Sequence, residues 1–168
     1  MKNINYFLIV FFIFFSTNSY ANNKIVFVDI DYLINNSTIG KKIINKLENE
    51  DKKNIEILKK RETSLKNIEQ GIKKKKNIIS NDEFQKEINL LKTKISQFNS
   101  EKNLMVKNFK KLKNNELNNV LNEFNKIIQK YMTENSIDIV FDKKNIYIGK
   151  GSIDITPNIL EDIEKQLK

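Results

Sequence analysis

Apolar residues recur at helical spacing along most of the chain, and this pattern predicts two long helices. Within residues 37–79, four apolar residues lie seven apart and so share one helix face: Leu58, Leu65, Ile72 and Ile79. Residues 81–135 carry a second apolar face with one slip of phase, made of Phe84, Ile88, Leu91, Ile95, Phe98, Met105, Phe109, Leu112, Leu117, Leu121, Phe124, Ile128 and Tyr131. At a rise of 1.5 Å per residue the helices would be about 60 and 75 Å long.

A local signal marks the point where the second helix begins. Ser80 can accept a hydrogen bond from the backbone N–H of Glu83, while the Glu83 carboxylate accepts one from the backbone N–H of Ser80. This is a capping box. It predicts a turn near residues 79–82 and therefore an antiparallel helical hairpin, the arm, over residues 37–135.

Short β-branched and aromatic runs lie at both ends of the chain. Residues 24–30 are predicted to form a buried strand, followed by a helical turn that Asp31 caps. Residues 137–141 and 145–149 are predicted to form a β-hairpin about a turn at residues 142–144.

The last residues complete this part of the chain. Residues 153–155 are a candidate further strand, and Thr156 is the predicted cap of a terminal helix with Pro157 at its first position. Carboxylates near these strand ends are explained by caps and turns rather than by metal binding.

The fold class predicted from these elements is α+β and mostly α. Residues 22–36 and 136–168 would form a small β-rich body, from which the arm projects as a coiled coil. Three or four short strands and one short helix make a marginal core, so we expect the body to be completed by oligomerisation.

Residues 1–21 are predicted to be a secretory signal rather than part of the fold. Lys2 supplies a positive charge, residues 4–15 are almost wholly apolar, and small residues at Ser19 and Ala21 stand where a signal peptidase reads. We expect cleavage after Ala21 and a periplasmic protein. The alternative is an uncleaved membrane anchor, although an apolar run of twelve residues is short for a bilayer that needs about 20.

Composition removes several function classes. The 168 residues include no Cys and no His, which excludes disulfides, zinc–thiolate sites and His-dependent catalytic triads. We therefore expect neither an enzyme nor a cofactor. The 30 basic and 21 acidic residues give a net charge of +9, and Arg61 is the only arginine.

The positive charge is concentrated in the arm. Residues 37–135 hold 23 basic and 13 acidic residues, giving +10, and the densest run, Lys73, Lys74, Lys75 and Lys76, stands beside the predicted turn. These lysines either form a solvated helix end that suits the helix dipole or attract acidic clients and anionic lipid headgroups.

An aromatic stripe on the second helix is the other candidate site. At about 100° per residue, Phe84, Phe98, Phe109 and Phe124 fall within an arc of roughly 80°. The stripe either packs on the first helix or offers some rings to an apolar client, and both arrangements can hold at different heights.

Several segments in this order resemble the Skp (OmpH) family of periplasmic chaperones. They are Lys24–Asp29 after the signal, Leu47–Glu50 in the first long helix, Ile137–Asp142, and residues 154–156 before the last helix. The resemblance covers essentially the whole chain after the signal. It implies a homotrimer with a shared β body and three arms around a cavity.

The resemblance also implies a function. Family members hold unfolded outer-membrane β-barrel proteins and hand them on for insertion without ATP. Contact with anionic lipid or lipopolysaccharide is a further expectation. The family's site of clustered Lys and Arg is not assigned here, since Arg61 is the only arginine. We do not expect specific nucleic-acid binding, because a net positive charge attracts any polyanion.

Two other functions fit the same sequence. One is a membrane-anchored coiled-coil stalk, which the small residues at the cleavage site and the C-terminal strands disfavour. The other is a cationic protein that binds envelope lipids.

Overall fold

The computed structural model describes residues 23–167, so the predicted signal and its cleavage after Ala21 lie outside the described residues. Six regular elements follow one another: strand β1 (Ile25–Val28), helices α1 (Ile30–Asn36), α2 (Thr38–Lys75) and α3 (Asn81–Glu134), strand β2 (Ile139–Asp142), and helix α4 (Thr156–Gln166). Short 3-10 turns occupy Lys143–Asn145 and Gly151–Ile153. The prediction of a mostly helical α+β chain is confirmed.

Helices α2 and α3 form the antiparallel arm, and the predicted capping box is confirmed between them. Ser80 Oγ accepts from the Glu83 backbone N–H at 3.3 Å, and the Ser80 N–H donates to Glu83 Oε2 at 3.3 Å. Helix α2 ends at Lys75 rather than near Ile79, because the N–H groups of Ile78 and Ile79 both turn back to the Lys75 carbonyl.

The two strands pair in parallel, in register from Ile25 with Ile139 to Val28 with Asp142. The sheet is closed at one end by the Lys24 backbone N–H, which donates to Asp138 Oδ2 at 2.7 Å. On its other side β1 forms a bridge between Phe27 and Asp154. Strand β1 is therefore the central strand, with chain on both sides.

The predicted β-hairpin is wrong. Residues 145–149 form no strand, since Asp142 Oδ1 accepts from the Lys144 N–H at 3.1 Å and turns the chain into a 3-10 turn. Residues 139–142 pair instead with β1, and the predicted strand at 153–155 is reduced to the bridge at Asp154. Alternating β-branched residues indicate which segments can extend, but not which partner they choose.

Two predicted caps are also wrong, and both corrections involve Asp29. Asp29 rather than Asp31 caps α1, its Oδ1 accepting from the Tyr32 N–H at 2.8 Å. Thr156 is not a cap, because its buried hydroxyl accepts from the Asp29 N–H at 2.9 Å, and Ile155 stands at the cap position of α4. The Thr156 hydroxyl thus pairs with the backbone N–H that follows β1, and the residues around Thr156 in the sequence do not reveal this long-range partner.

The core lies in the body and takes its largest side chain from the arm. Phe124 near the end of α3 is fully buried, together with Leu33 of α1 and both Ile159 and Ile163 of α4. The buried valines of β1 and Ile127 and Ile128 of α3 complete the same cluster. The base of the arm is thereby held rigidly in the body.

Two glycines in α2 give a matched test of this packing. At Gly40 an added Cβ would overlap the backbone carbonyl of Ile34 where α1 crosses α2, whereas at Gly71 it would meet nothing within 4 Å. We expect Gly40→Ala to lower the free energy of unfolding by about 1–3 kcal/mol.

Gly71→Ala should instead raise it by about 0.5–1 kcal/mol, since alanine favours the helix. Urea unfolding followed by circular dichroism at 222 nm measures both variants. Equal behaviour of the two would contradict the close approach of α1 and α2.

Candidate functional site

Three ion pairs cross between the helices of the arm at regular intervals. From the body outward they are Lys46–Glu116 at 2.7 Å, Arg61–Glu101 at 3.5 Å and Lys75–Glu87 at 2.7 Å. In each pair α2 supplies the cation and α3 the carboxylate. The spacing between successive pairs is the same on both helices, so one antiparallel register holds along the whole arm.

Apolar burial along the arm is confined to its two ends. Leu47 is buried near the body, and Ile72 and Leu91 are buried near the tip. Between Leu47 and Ile72 no residue of α2 is buried, and the same is true of α3 between Leu91 and Val120. The middle of the arm therefore keeps partly exposed apolar side chains.

The predicted aromatic stripe divides by height. Phe124 belongs to the core of the body, so its role is structural. Phe84, Phe98 and Phe109 are half-buried along the arm. A two-helix hairpin covers one side of each ring and leaves the other in solvent, which keeps all three as candidate contacts.

One of these rings lines a groove between the helices, the mid-arm groove, of about 590 Å³. Its apolar lining is Ile57, Leu104, Met105, Phe109 and Leu112. The polar lining is Glu50, Asn54, Arg61, Glu101 and Asn108, and the Arg61–Glu101 ion pair lies at its distal end. The heptad pattern did not indicate this groove.

The four lysines beside the turn are exposed at the tip, but they differ in their partners. Lys73 pairs with Glu69 at 2.6 Å and Lys75 with Glu87 across the arm. The hydrogen bond from Lys73, and then its charge, lower the pKa of the Glu69 carboxyl. Lys74 and Lys76 form no salt bridge within residues 23–167.

The body has an apolar surface that the strand predictions missed. Ile25, Ile139 and Phe141 are 42%, 39% and 45% exposed. In the loop after β2, Tyr147 and Ile148 are exposed almost completely. An alternation of apolar and polar residues identifies strand residues such as Ile139 and Phe141, but it wrongly assigned Tyr147 and Ile148 to a strand.

Within residues 23–167, carboxylates do not gather into a group that could hold a metal ion. None of the helices in that part of the chain is both long and apolar enough to cross a bilayer. The carboxylates near the strand ends serve turns and caps, as predicted for Asp29, Asp142 and Asp154.

Comparison with known proteins identifies the family. The family described as outer membrane protein (OmpH-like) matches residues 24–163. The chain belongs to the OmpH-like family. The resemblance drawn from the sequence is thus confirmed, and the OmpH-like family supports a chaperone role.

The fold is shared with a solved structure. A crystal structure of a proposed OmpH-like outer membrane chaperone from Caulobacter crescentus CB15 has a TM-score of 0.80 with this chain. The two are 19% identical, and the likeness covers 88% of each chain. Among curated proteins, none matches the chain in sequence.

Reversing the charges of one crossing ion pair tests the register of this OmpH-like arm. Glu116→Lys would place two ammonium groups where Lys46 and Glu116 now pair, so we expect a loss of about 0.2–1 kcal/mol in the free energy of unfolding. The reversed pair K46E/E116K should recover most of it. The control is Glu123→Lys, which disturbs an ion pair within α3 and not one that crosses the arm. If K46E/E116K is no more stable than E116K, the register is contradicted.

Proposed function

We propose that this OmpH-like protein is an ATP-independent periplasmic holdase chaperone. It binds unfolded outer-membrane β-barrel proteins between the arms of a homotrimer and delivers them for insertion. Family membership supports a chaperone role. The observation that carries the finer proposal is the arm itself, which combines a +10 charge with partly exposed apolar side chains along its middle.

The arm suits a client that must be held and then released. An unfolded chain has no fixed shape, so many weak contacts serve it better than one deep pocket. Lysines on the arm would attract net-acidic clients by a force that salt screens. Partly exposed residues such as Ile57 and Leu104 would cover apolar client segments. No covalent step and no cofactor enters this function.

The body is where copies of the chain would meet. A sheet of two strands is marginal by itself. Ile139 and Phe141 of β2 leave apolar surface that a second copy would bury. A closed trimer would place three arms on one side of a shared body and enclose a space between them.

Removing charge at the tip tests the role of the arm in capture. We expect replacement of Lys73–Lys76 by Gln to weaken client capture at low salt and to leave trimer stability nearly unchanged. The measurement is light scattering of a β-barrel protein diluted from urea, with and without the variant.

The matched control replaces four lysines at the body end of the arm: Lys41, Lys42, Lys126 and Lys130. Like the tip set, it removes four charges, of which two are in ion pairs and two are not, within the described residues. Equal loss from both sets would assign capture to total charge. If the unmodified protein leaves the diluted β-barrel protein to aggregate while binding lipid vesicles tightly, the envelope lipid-binding alternative is favoured.

The molar mass tests the assembly. We expect residues 22–168 to sediment as a trimer at micromolar concentration, and I139K/F141K to sediment as a monomer because it places charges on the apolar body surface. The control, I78K/L90K, changes two exposed apolar residues near the tip and should remain trimeric. A monomeric unmodified protein would contradict the homotrimer.

A further inference from the structure

We propose that, among the many weak contacts of the arm, the mid-arm groove is the preferred docking site for aromatic and large aliphatic side chains of an unfolded, net-acidic polypeptide. This rests on the proposed holdase function and specifies where on the arm such a client is held. Neither the family match nor the shared fold assigns a site to this groove.

The groove lies at the level of the arm where two asparagines face each other across the helices. In the register that the ion pairs set, Asn54 of α2 stands opposite Asn108 of α3, and both line the groove. Asn54 is half-buried and Asn108 is exposed, and their short polar side chains fill less space than two leucines would fill. The helices therefore leave a gap along the side of the seam at this level.

The lining of this gap suits an apolar side chain. Met105, Phe109 and Leu112 supply flexible, aromatic and branched apolar surface from α3. Ile57 and Leu104 are 48% and 58% exposed although both line the groove. Its volume of about 590 Å³ lies within the range of about 300–1,000 Å³ that is typical of ligand sites. Methionine beside an aromatic ring also adapts to ligands of different shape.

The charges around the groove favour an acidic occupant. On α3, five exposed lysines stand next to lining residues: Lys102, Lys107, Lys110, Lys111 and Lys113. On α2, Lys53 and Lys60 are offset by exposed carboxylates that also stand next to lining residues, at Asp51, Glu56 and Glu62. The groove itself contains Glu50 and Glu101, and Glu101 is paired with Arg61. The attraction for an acidic occupant therefore comes from the α3 side of the groove, while apolar contact in its floor holds the side chain.

The opposite flank of the arm provides an internal control. Ile55 and Val106 are 56% and 58% exposed and do not line the groove. At about 100° per residue, Ile55 lies about 160° from Ile57 around α2, and Val106 lies as far from Leu104 around α3. The two pairs are thus similarly exposed, and the pair Ile57 and Leu104 lines the mid-arm groove whereas the pair Ile55 and Val106 does not.

The test compares two double variants of residues 22–168, I57S/L104S and I55S/V106S. The probe is a short acidic peptide that alternates polar and aromatic residues and contains one Trp. Because the chain has no Trp, peptide fluorescence reports binding directly. We expect I57S/L104S to weaken binding about tenfold, and I55S/V106S to stay within about twofold of the unmodified protein.

Each other outcome overturns the groove. Equal weakening by both variants would show binding spread over the arm, and no weakening by I57S/L104S would place the site elsewhere. A changed molar mass in I57S/L104S alone would make the groove a contact between copies of the chain. Suppression of aggregation by the unmodified protein is measured separately, so the holdase function can stand while the groove fails.

Discussion

The parallel pairing of β1 with β2 is the constraint on which the rest of the structure depends. Parallel strands need a long crossover, because the chain must return to the end of the sheet from which it started. Here the crossover is the arm, with α2 leading away and α3 leading back. The turn is consequently the point farthest from the body along both helices. The same pairing brings Lys24 beside Asp138. On the other edge of β1, Phe27 forms a bridge with Asp154, and the body thereby closes around the base of the arm.

The strands of the pair are not equivalent. Val26 and Val28 of β1 are buried in the core cluster with residues of α3 and α4, whereas Ile139 and Phe141 of β2 are partly exposed. The body therefore has a covered side, where Phe124 anchors the arm, and an apolar side with β2 at its edge. In the proposed trimer, anchoring and assembly would use different residues, so a change on the exposed side would separate copies without loosening the arm.

The sequence predicted the elements better than their partners. Periodicity found both long helices and the capping box placed the turn, because these depend on residues close in the chain. The hairpin at residues 137–149 was wrong, since β2 pairs with a strand more than a hundred residues away. Phe109 and Phe124 lie on one helix face, yet one lines a groove and the other fills the core. Periodicity gives the angular position of a residue around a helix, but it does not show how much of that residue neighbouring elements bury.

An arm with a fully packed seam would be more stable and would have less surface for a client. Burial at Leu47, Ile72 and Leu91 holds the two ends of this arm, and crossing ion pairs keep the register between them. Exposed pairs contribute little free energy each, but all three share one register and are lost together when one helix slips along the other. Specificity of pairing thus comes from charge, while apolar side chains in the middle need not pack completely. In the proposed holdase, Asn54 and Asn108, whose short polar side chains line the groove, are the residues that leave the exposed middle available for binding.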